Sequence, residues 1–261
     1  MADFKNTIIL DDGYLQLPVG TTAQRPASPV NGDIRFNSQF KVVENYINGA
    51  WKYMPPIVED GLVLHLDAAE PASYSGSGTT WTDLSGNGNN GTLVNGPTYD
   101  TGNAGSLDFN GTDDYGNFNL SSISTNYLTI EMWCKRNDSS GSEYHWDARN
   151  GGGTWFLSEY NGFDWNWGNV VRFNDNDLYV NWHQIVAIKN DTVSYLYKNG
   201  ILKAIGGDVN GTLGNDFRIA TRYTNSSFWN GNISSFKIYN RALSAAEIQQ
   251  NFTALRGRYG I

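Results

Sequence analysis

The stretch WHQIVAIKNDTVSYLYKNGILKAI, residues 182–205, decides the fold class of this chain. Within VSYLYK, Tyr195 and Tyr197 alternate with Leu196, and this period of two places successive side chains on opposite faces of a strand. Asn199-Gly200 then separates two apolar runs, which is the strongest short-range signal for a β-hairpin. The stretch therefore predicts strands, the last two joined in a hairpin.

Similar short runs surround this hairpin and are separated by Asn-Gly and Gly-rich turns. The clearest are GLVLHLDA (61–68), SLDFN (106–110), YLTIEMWCKR (127–136) and ISSFKIY (233–239). Many short strands at regular spacing favour a sandwich or jelly roll over alternating strands and helices. We therefore predict an all-β fold from residue 57 to residue 261.

One segment near the end has a different period. LSAAEIQQNFTAL begins with Ser244, and Glu247 follows three residues later, which is the pattern of a helix capping box. Ile248, Phe252 and Leu255 then fall on one helical face. We expect one short C-terminal helix that packs on the sandwich.

Residues 1–56 form a predicted separate unit. Asn31-Gly32 and Asn48-Gly49 each lie between apolar runs and predict hairpins, while Pro55-Pro56 marks the boundary with the sandwich domain. A unit of this size buries little core alone. We therefore expect it to gain stability by packing on its own copies or on a larger partner.

Charge and composition exclude several classes of function. The formal net charge is -8, with 18 Lys and Arg against 26 Asp and Glu, so nucleic acid is not an expected partner. No run of eighteen apolar residues exists, so we expect no membrane insertion. The start does not read as a secretory signal. The single Cys134 excludes an internal disulfide and is expected to be a buried thiol.

Four segments resemble laminin-G/concanavalin-like jelly rolls, in the right order across residues 61–255. They are TTWTDLSGNGNNGTL (79–93), SLDFNGTDDYGNF (106–118), WHQIVAIKN with LYKNG (182–200) and GNISSFKIYNRALSAAEIQQ (231–250). The resemblance implies a two-sheet sandwich whose face or rim loops bind glycans, in some members with calcium.

Calcium is not expected at the closing strand. Ser234 and Ser235 stand where many members carry acids, and a hydroxyl is a poorer ligand for this cation than a carboxylate. We therefore expect no cofactor, and a metal site stays unassigned.

A second resemblance concerns TTAQRPASPVNGDIRFNSQFKVVENYINGAWK, residues 21–52. It is similar to a small β module of tail-fibre and other virion proteins of tailed bacteriophages. The resemblance implies a virion protein, assembled in the host bacterial cytoplasm, that forms a homo-oligomer (a trimer) and binds capsid or tail proteins. The residues assigned to docking or oligomerisation are Arg25, Pro26, Ile34, Phe36, Tyr46 and Trp51.

Aromatic, acidic and amide side chains are dense in residues 143–173 and again in residues 221–231. Sugar rings stack on aromatic faces while their hydroxyls bond to polar groups, so both stretches are candidates for carbohydrate binding. The candidate residues are Trp146, Asp147, Trp155, Tyr160, Phe163, Arg222, Tyr223, Asn225 and Trp229. The alternative is that the large rings fill the interior, which we favour for Trp165 and Trp167, and for Trp229 at a sheet end.

Catalytic patterns are weak. Glu131 stands alone in its strand, and Glu143 and Asp147 have no third acid in register. Retaining hydrolysis needs two carboxyl groups about 5 Å apart.

We therefore expect a phage virion structural protein that is not an enzyme and that presents a jelly roll able to bind surface polysaccharide. A polysaccharide depolymerase and a purely architectural cement protein are the alternatives.

Overall fold

A computed structural model describes residues 17–120, 126–138, 141–149, 154–160, 164–174, 181–209 and 213–261. These residues form twenty β-strands and one α-helix. The first half of the strands is β1 (Val19–Gly20), β2 (Ile34–Asn37), β3 (Val42–Ile47), β4 (Ala50–Met54), β5 (Leu62–Asp67), β6 (Thr80–Trp81), β7 (Gly91–Val94), β8 (Thr98–Asp100), β9 (Ser106–Asn110) and β10 (Tyr115–Asn119). The second half is β11 (Tyr127–Arg136), β12 (Ser142–Arg149), β13 (Phe156–Tyr160), β14 (Asp164–Trp167), β15 (Val171–Asn174), β16 (His183–Asn190), β17 (Val193–Lys198), β18 (Ile201–Gly206), β19 (Leu213–Ile219) and β20 (Asn230–Tyr239).

Two large sheets make the sandwich. One has the strand order β15-β14-β13-β12-β19-β10-β7-β6, and the other has β18-β17-β16-β11-β20-β9-β8, with β5 also paired to β20. Inward side chains of both sheets meet in one apolar core, which includes Trp81, Leu107, Phe118, Trp146, Trp167, Phe217 and Phe236. The predicted all-β jelly-roll sandwich is therefore confirmed.

The hairpin and the helix form where the sequence predicts them. β17 and β18 pair across Asn199 and Gly200, whose φ angles of 51° and 76° suit the tight turn. The α-helix, α1, spans Ala245–Tyr259, and its capping box joins Ser244 and Glu247 in both directions. No helix in the described segments is long and apolar enough to cross a membrane.

The N-terminal unit is a four-stranded sheet in the order β1-β2-β3-β4. Residues 1–16 of the predicted unit lie outside the described residues. The sheet packs on the sandwich of the same chain, because Phe40 and Val42 form a buried cluster with Ala69. A larger partner for this small sheet is thus present within its own chain.

A charged network is buried inside this small sheet. The carboxylate of Glu44 accepts hydrogen bonds from Arg25, Arg35 and Asn37. Arg35 and Asn37 are buried on β2, and Glu44 is buried on β3. Burying these groups is tolerated because each charge is paired and hydrogen-bonded.

Candidate functional site

The outward side of the sheet that contains β12 and β19 carries both polar and aromatic side chains. On β19, Phe217 and Ile219 point into the core, so Arg218 between them points outward. Arg218 pairs with Asn117 of β10 in the strand register, and Tyr115 lies two residues before Asn117. Alternation along two strands thus builds one face from polar and aromatic side chains.

A bulge decides what β12 adds to this face. The register of β12 against β13 shifts between Tyr144 and Trp146. Without the bulge, the alternation of side chains along a strand would put the rings of Tyr144 and Trp146 on the same face of the sheet. Instead Trp146 is fully buried in the core, while Tyr144 is half-buried and meets Arg149 and Arg222.

Asp147 organises the centre of the face. Arg149 donates from Nε to Oδ1 of Asp147 at 2.9 Å, and its Nη2 also bonds to the same carboxylate. The backbone N–H of Tyr223 donates to Oδ2 at 3.1 Å. These bonds satisfy a carboxylate that is 0% exposed, so Asp147 positions Arg149 and the loop that carries Tyr223.

Two guanidinium groups lie against aromatic rings. The Cζ of Arg149 is 4.2 Å from the ring centroid of Phe156 and 4.9 Å from that of Tyr223. The Cζ of Arg222 is 5.8 Å from the Tyr144 centroid and 5.6 Å from the Tyr223 centroid. Stacking of this kind is attractive and leaves the edge of the guanidinium free to donate hydrogen bonds.

Arg222 differs from Arg149 and Arg218 in having no ion-pair partner among the described residues. Its Nε is buried without a hydrogen-bond partner among the described residues. Arg149 is ion-paired with Asp147, and Arg218 is ion-paired with Asp216. The part of the chain that the structure describes supplies no carboxylate for Arg222.

The face continues toward β10. Arg218 also donates to the side chain of Asn225, and its Cζ is 5.7 Å from the Tyr115 ring centroid. Tyr115 in turn lies 6.4 Å from Phe228. We name the whole surface the arginine–aromatic face; its residues are Tyr115, Tyr144, Asp147, Arg149, Phe156, Arg218, Arg222, Tyr223, Asn225 and Phe228.

The predicted carbohydrate-binding residues lie in two different places in the structure, some on the outer face of the sheet and some in the core. Asp147, Arg222, Tyr223 and Asn225 come together on the arginine–aromatic face. The expectation of exposed rings is wrong for Trp146 and Trp155, which are 0% and 1% exposed and belong to the apolar core. Trp229 is also 0% exposed and belongs to this core, in agreement with the interior alternative favoured for it. Rings of this size gain most by filling the space between the sheets.

The other predicted aromatic positions divide in the same way. Trp167 is fully buried, as predicted. Tyr160 ends β13, and its side chain, like that of Trp165, lies outside the described part. Phe163 also lies outside the described residues. Tyr144, Arg149 and Phe156 were not predicted, since neither the bulge nor the pairing of β12 with β13 is visible in the sequence.

The predicted docking residues lie on both sides of the N-terminal sheet. Arg25 is ion-paired with Glu44 and lies 3.9 Å from Glu70 of the sandwich. Tyr46 and Trp51 contact each other edge to face at 5.5 Å. Pro26 is exposed, and it precedes β2.

Ile34 and Phe36 point away from the buried Glu44 network, because they alternate with Arg35 and Asn37 on β2. We name their side of the sheet the outer N-terminal face; it consists of Val19, Ile34, Phe36, Val43, Ile47 and Met54. Val19, Ile34, Ile47 and Met54 are 63%, 43%, 43% and 46% exposed.

Two acids oppose each other across neighbouring strands. Glu143 of β12 pairs in register with Glu159 of β13. Arg136 lies 2.9 Å from Glu143 and 3.7 Å from Glu159, and His145 lies 3.4 Å from Glu159. Burial raises the pKa of Glu143 to about 7, against the opposing effects of Asn230 and Arg136. This pair was not predicted from the sequence, because the two acids lie on different strands.

Ser234 and Ser235 of the closing strand are both hydrogen-bonded within the protein. Ser234 donates to the carbonyl of Gly105 at 2.6 Å and contacts Arg258, while Ser235 accepts a hydrogen bond from Lys237 at 3.0 Å. Within the described ranges, no group of three or more His, Cys, Asp and Glu side chains is arranged to hold a metal ion.

Comparison with known proteins places this geometry in a family. A sequence profile described as the concanavalin A-like lectin/glucanases superfamily matches residues 110–249, more than half of the chain. The protein belongs to the concanavalin A-like lectin/glucanases superfamily. A search among curated proteins found no significant match.

Three similar solved structures come from botulinum neurotoxins. The serotype D binding domain aligns with a TM-score of 0.60 at 16% identity, over 75% of this chain and 52% of that chain. The type G receptor binding domain gives 0.58 at 16% identity, over 74% and 51%. The serotype D ligand binding domain in complex with N-acetylneuraminic acid gives 0.61 at 16% identity, over 75% and 51%. The chain spans about half the length of these structures, and at this identity the likeness shows the fold alone.

Proposed function

We propose that this protein is a structural component of a tailed-phage virion whose jelly roll binds an acidic glycan on the arginine–aromatic face. The observation that carries the binding step is Arg222. Its guanidinium lies against Tyr144 and Tyr223, and no carboxylate of the described residues is ion-paired with it.

The chemistry of the face suits an anionic sugar. Tyrosine rings such as Tyr223 pack against the C–H faces of a sugar ring, and a guanidinium such as Arg222 binds a carboxylate through paired hydrogen bonds. Two similar structures support this choice of ligand. One is a botulinum neurotoxin ligand binding domain in complex with N-acetylneuraminic acid, and another is from botulinum neurotoxin type C, whose cell entry depends on interaction with two ganglioside molecules.

The binding experiment compares sialyllactose with lactose by isothermal titration calorimetry. We expect the intact chain to bind sialyllactose, and the variant Arg222→Ala to lose about tenfold or more in affinity, since a charge-assisted hydrogen bond contributes about 1.5–3 kcal/mol. Arg172→Ala is the matched control, because Arg172 lies on β15 at the far edge of the same sheet. Equal binding by both variants, or no preference over lactose, would refute the proposed site.

The N-terminal sheet is the proposed attachment part. The similarity of residues 21–52 to phage fibre modules and the apolar outer N-terminal face support this role. In the proposed assembly, copies of the chain meet through this face as a trimer that is attached to capsid or tail proteins, and weak glycan contacts then gain avidity from copy number.

Two measurements test the attachment. Sedimentation equilibrium of the full chain is expected to give a trimer, and the double variant Ile34→Lys, Phe36→Lys is expected to give a monomer with unchanged sialyllactose affinity. Cryo-electron microscopy of purified phage particles is expected to place the protein on the capsid or tail. A monomeric wild-type chain would reject the trimer, and absence from particles would reject the virion role.

Hydrolysis of the glycan is a second candidate function. The cross-strand pair Glu143 and Glu159 favours it, because a pKa of about 7 at Glu143 suits a general acid. We propose binding without hydrolysis, since Arg136 holds both carboxylates and both are buried. Release of reducing ends from a bacterial surface polysaccharide, lost in Glu143→Gln, would establish the enzyme. A protein that binds no glycan at all would be an architectural cement.

A further inference from the structure

A cavity of about 530 Å³ lies between β4 of the N-terminal sheet and β5 of the sandwich. Trp51 and Tyr53 line it from β4, and Leu62 and His65 line it from β5. The connection between the two units contributes Pro56, Ile57 and Glu59. The remaining lining residues are Arg25, Ala50, Lys52, Glu70, Ala72, Leu84 and Ser85. Neither unit forms this cavity alone.

Among the described strands, β4 lies at the edge of its sheet, and this free edge supplies polar backbone groups at the cavity. The N–H and C=O of Tyr46 bond to Asp33 and Gly32 at 2.8 and 2.9 Å, on the side of β3 away from β4. Trp51 is the partner of Tyr46 on β4. Because the N–H and C=O of Tyr46 point away from β4, Tyr46 and Trp51 form a non-hydrogen-bonded pair of the antiparallel ladder. The N–H and C=O of Trp51, and of Tyr53 two residues on, therefore point away from β3.

Aromatic and hydrogen-bonding side chains lie beside this edge. The indole of Trp51 is half-buried and is braced by the Tyr46 ring at 5.5 Å and by Arg35, whose Cζ is 5.9 Å from the Trp51 centroid. The hydroxyl of Tyr53 donates to Glu70 at 2.8 Å. One rigid ring face and one oriented carboxyl group thus belong to the same cavity.

His65 lies on the opposite wall. Burial, with the charges of Lys237 and Arg258, lowers the pKa of His65 well below its ordinary value. A neutral imidazole offers one donor and one acceptor. The charges around the cavity are already paired, since Lys52 binds Glu59 and Arg25 binds Glu44. A charged ligand therefore gains little here, and a neutral polar one fits.

We propose that this cavity is a second ligand site, which binds one neutral sugar ring through the face of Trp51. The backbone edge of β4, His65 and Glu70 would each meet sugar hydroxyls, which both donate and accept hydrogen bonds. An added peptide strand fits less well, because the free edge offers only Trp51 and Tyr53 before Pro55 and Pro56, which lack an N–H. The site is separate from the arginine–aromatic face and does not depend on the function proposed for it.

The test uses ¹⁹F NMR of the full chain labelled with 5-fluorotryptophan. The chain has 9 tryptophans, and Trp51→Phe identifies the Trp51 signal. The probes are methyl glucoside, galactose, N-acetylglucosamine and rhamnose. We expect at least one of them to shift the Trp51 signal saturably, while the fully buried Trp81 and Trp133 signals stay in place. A Trp51 signal that none of the four sugars moves overturns the proposal.

Two further variants separate the cavity from other effects. Ala72 is exposed and lines the cavity, so Ala72→Tyr is expected to fill it and abolish the shift without removing a buried contact. Ser77→Tyr adds the same ring at an exposed position that is not part of the lining, and is expected to keep the shift. A shift that survives Ala72→Tyr overturns the cavity as the site. Arg222→Ala is expected to leave the shift intact, so failure of one glycan site is distinguishable from failure of the other.

Discussion

Arg258 of α1 donates from Nη1 to both carboxylate oxygens of Asp67 at 2.8 and 2.9 Å, and both side chains are almost fully buried. Its Nε donates to the carbonyl of Asn103 at 2.9 Å, and its Nη2 donates to that of Gly105 at 3.1 Å. The Cζ of Arg258 also lies 5.5 Å from the ring of Phe40. One guanidinium therefore joins the helix, β5, a sandwich loop and the N-terminal sheet.

Removing Arg258 should be costly. Arg258→Leu leaves the Asp67 carboxyl group buried without its ion-pair partner, and we expect a loss of about 3–5 kcal/mol in the free energy of unfolding. Arg256→Leu is the matched control, because Arg256 is exposed on the same helix, and it is expected to change stability by less than about 0.5 kcal/mol. Urea unfolding followed by tryptophan fluorescence measures both. A similar small change in the two variants would mean that the pair does not stabilise the fold.

The N-terminal sheet should loosen in acid before the sandwich does. Burial alone would raise the pKa of Glu44, but hydrogen bonds from Arg25 and Asn37 lower it below the ordinary value of 4.5. The stabilisation is therefore present above pH 4.5 and is lost as the pH falls through the lowered pKa. Hydrogen exchange read by mass spectrometry is expected to show β2 and β3 losing protection while β11 and β16 keep theirs. Simultaneous loss in all four strands would contradict this order.

Glu143 should make the sandwich less stable at high pH. Its pKa of about 7 lies above the ordinary 4.5, so the folded state holds a proton that the unfolded state has released. Its contribution to stability is present below pH 4.5 and is lost as the pH rises through 7, by on the order of 3 kcal/mol at about 1.4 kcal/mol per pKa unit.

The variant Glu143→Gln isolates this effect. His145 has a lowered pKa and acts in the opposite direction, but it is present in both proteins and cancels in the comparison. We expect the difference in melting temperature between wild type and variant to change steadily between pH 4.5 and pH 8 in favour of the variant. A difference that does not depend on pH would show that Glu143 does not titrate in this range.

Gly91 of β7 should tolerate no side chain. A Cβ at this position would overlap the ring of Phe118 in the core. Overpacking of a tight core costs about 1–3 kcal/mol, so we expect Gly91→Ala to lower the free energy of unfolding by that amount. Gly207 is the control, because a Cβ there would meet Val170 only at 3.7 Å. Gly207→Ala is expected to leave the urea midpoint unchanged, and equal effects at both glycines would refute the packing argument.

Local signals in the sequence were enough to predict the architecture. Asn199-Gly200 and the pair Ser244 and Glu247 act within a few residues, so their turn and helix cap form as predicted. Family resemblance then placed these elements in a jelly roll, and the match over residues 110–249 confirms that family. Strand order in the sheets depends on long-range pairing, which no short motif encodes.

The candidate site was less predictable, because it depends on one bulge and on strand pairing. Trp146 and Tyr144 are two residues apart, yet the bulge sends Trp146 into the core and leaves Tyr144 outside. Glu159 meets Glu143 only through the pairing of β12 with β13. The predictions that succeeded, Arg222 and Tyr223, lie together in a single loop, where neighbours in sequence are also neighbours in space.

The bond between Asp67 and Arg258 also bears on the order in which the protein folds. The two residues are 191 positions apart in sequence, so a ribosome releases β5 long before it completes α1. Until then Arg258 is not available to pair with Asp67. The surface of α1 that contacts the N-terminal sheet, where Lys41 lies close to Gly257, has also not formed. Contacts of such long range form slowly. The N-terminal sheet is therefore made before the helix that holds it in place, and its strands must avoid other pairing partners until α1 has formed.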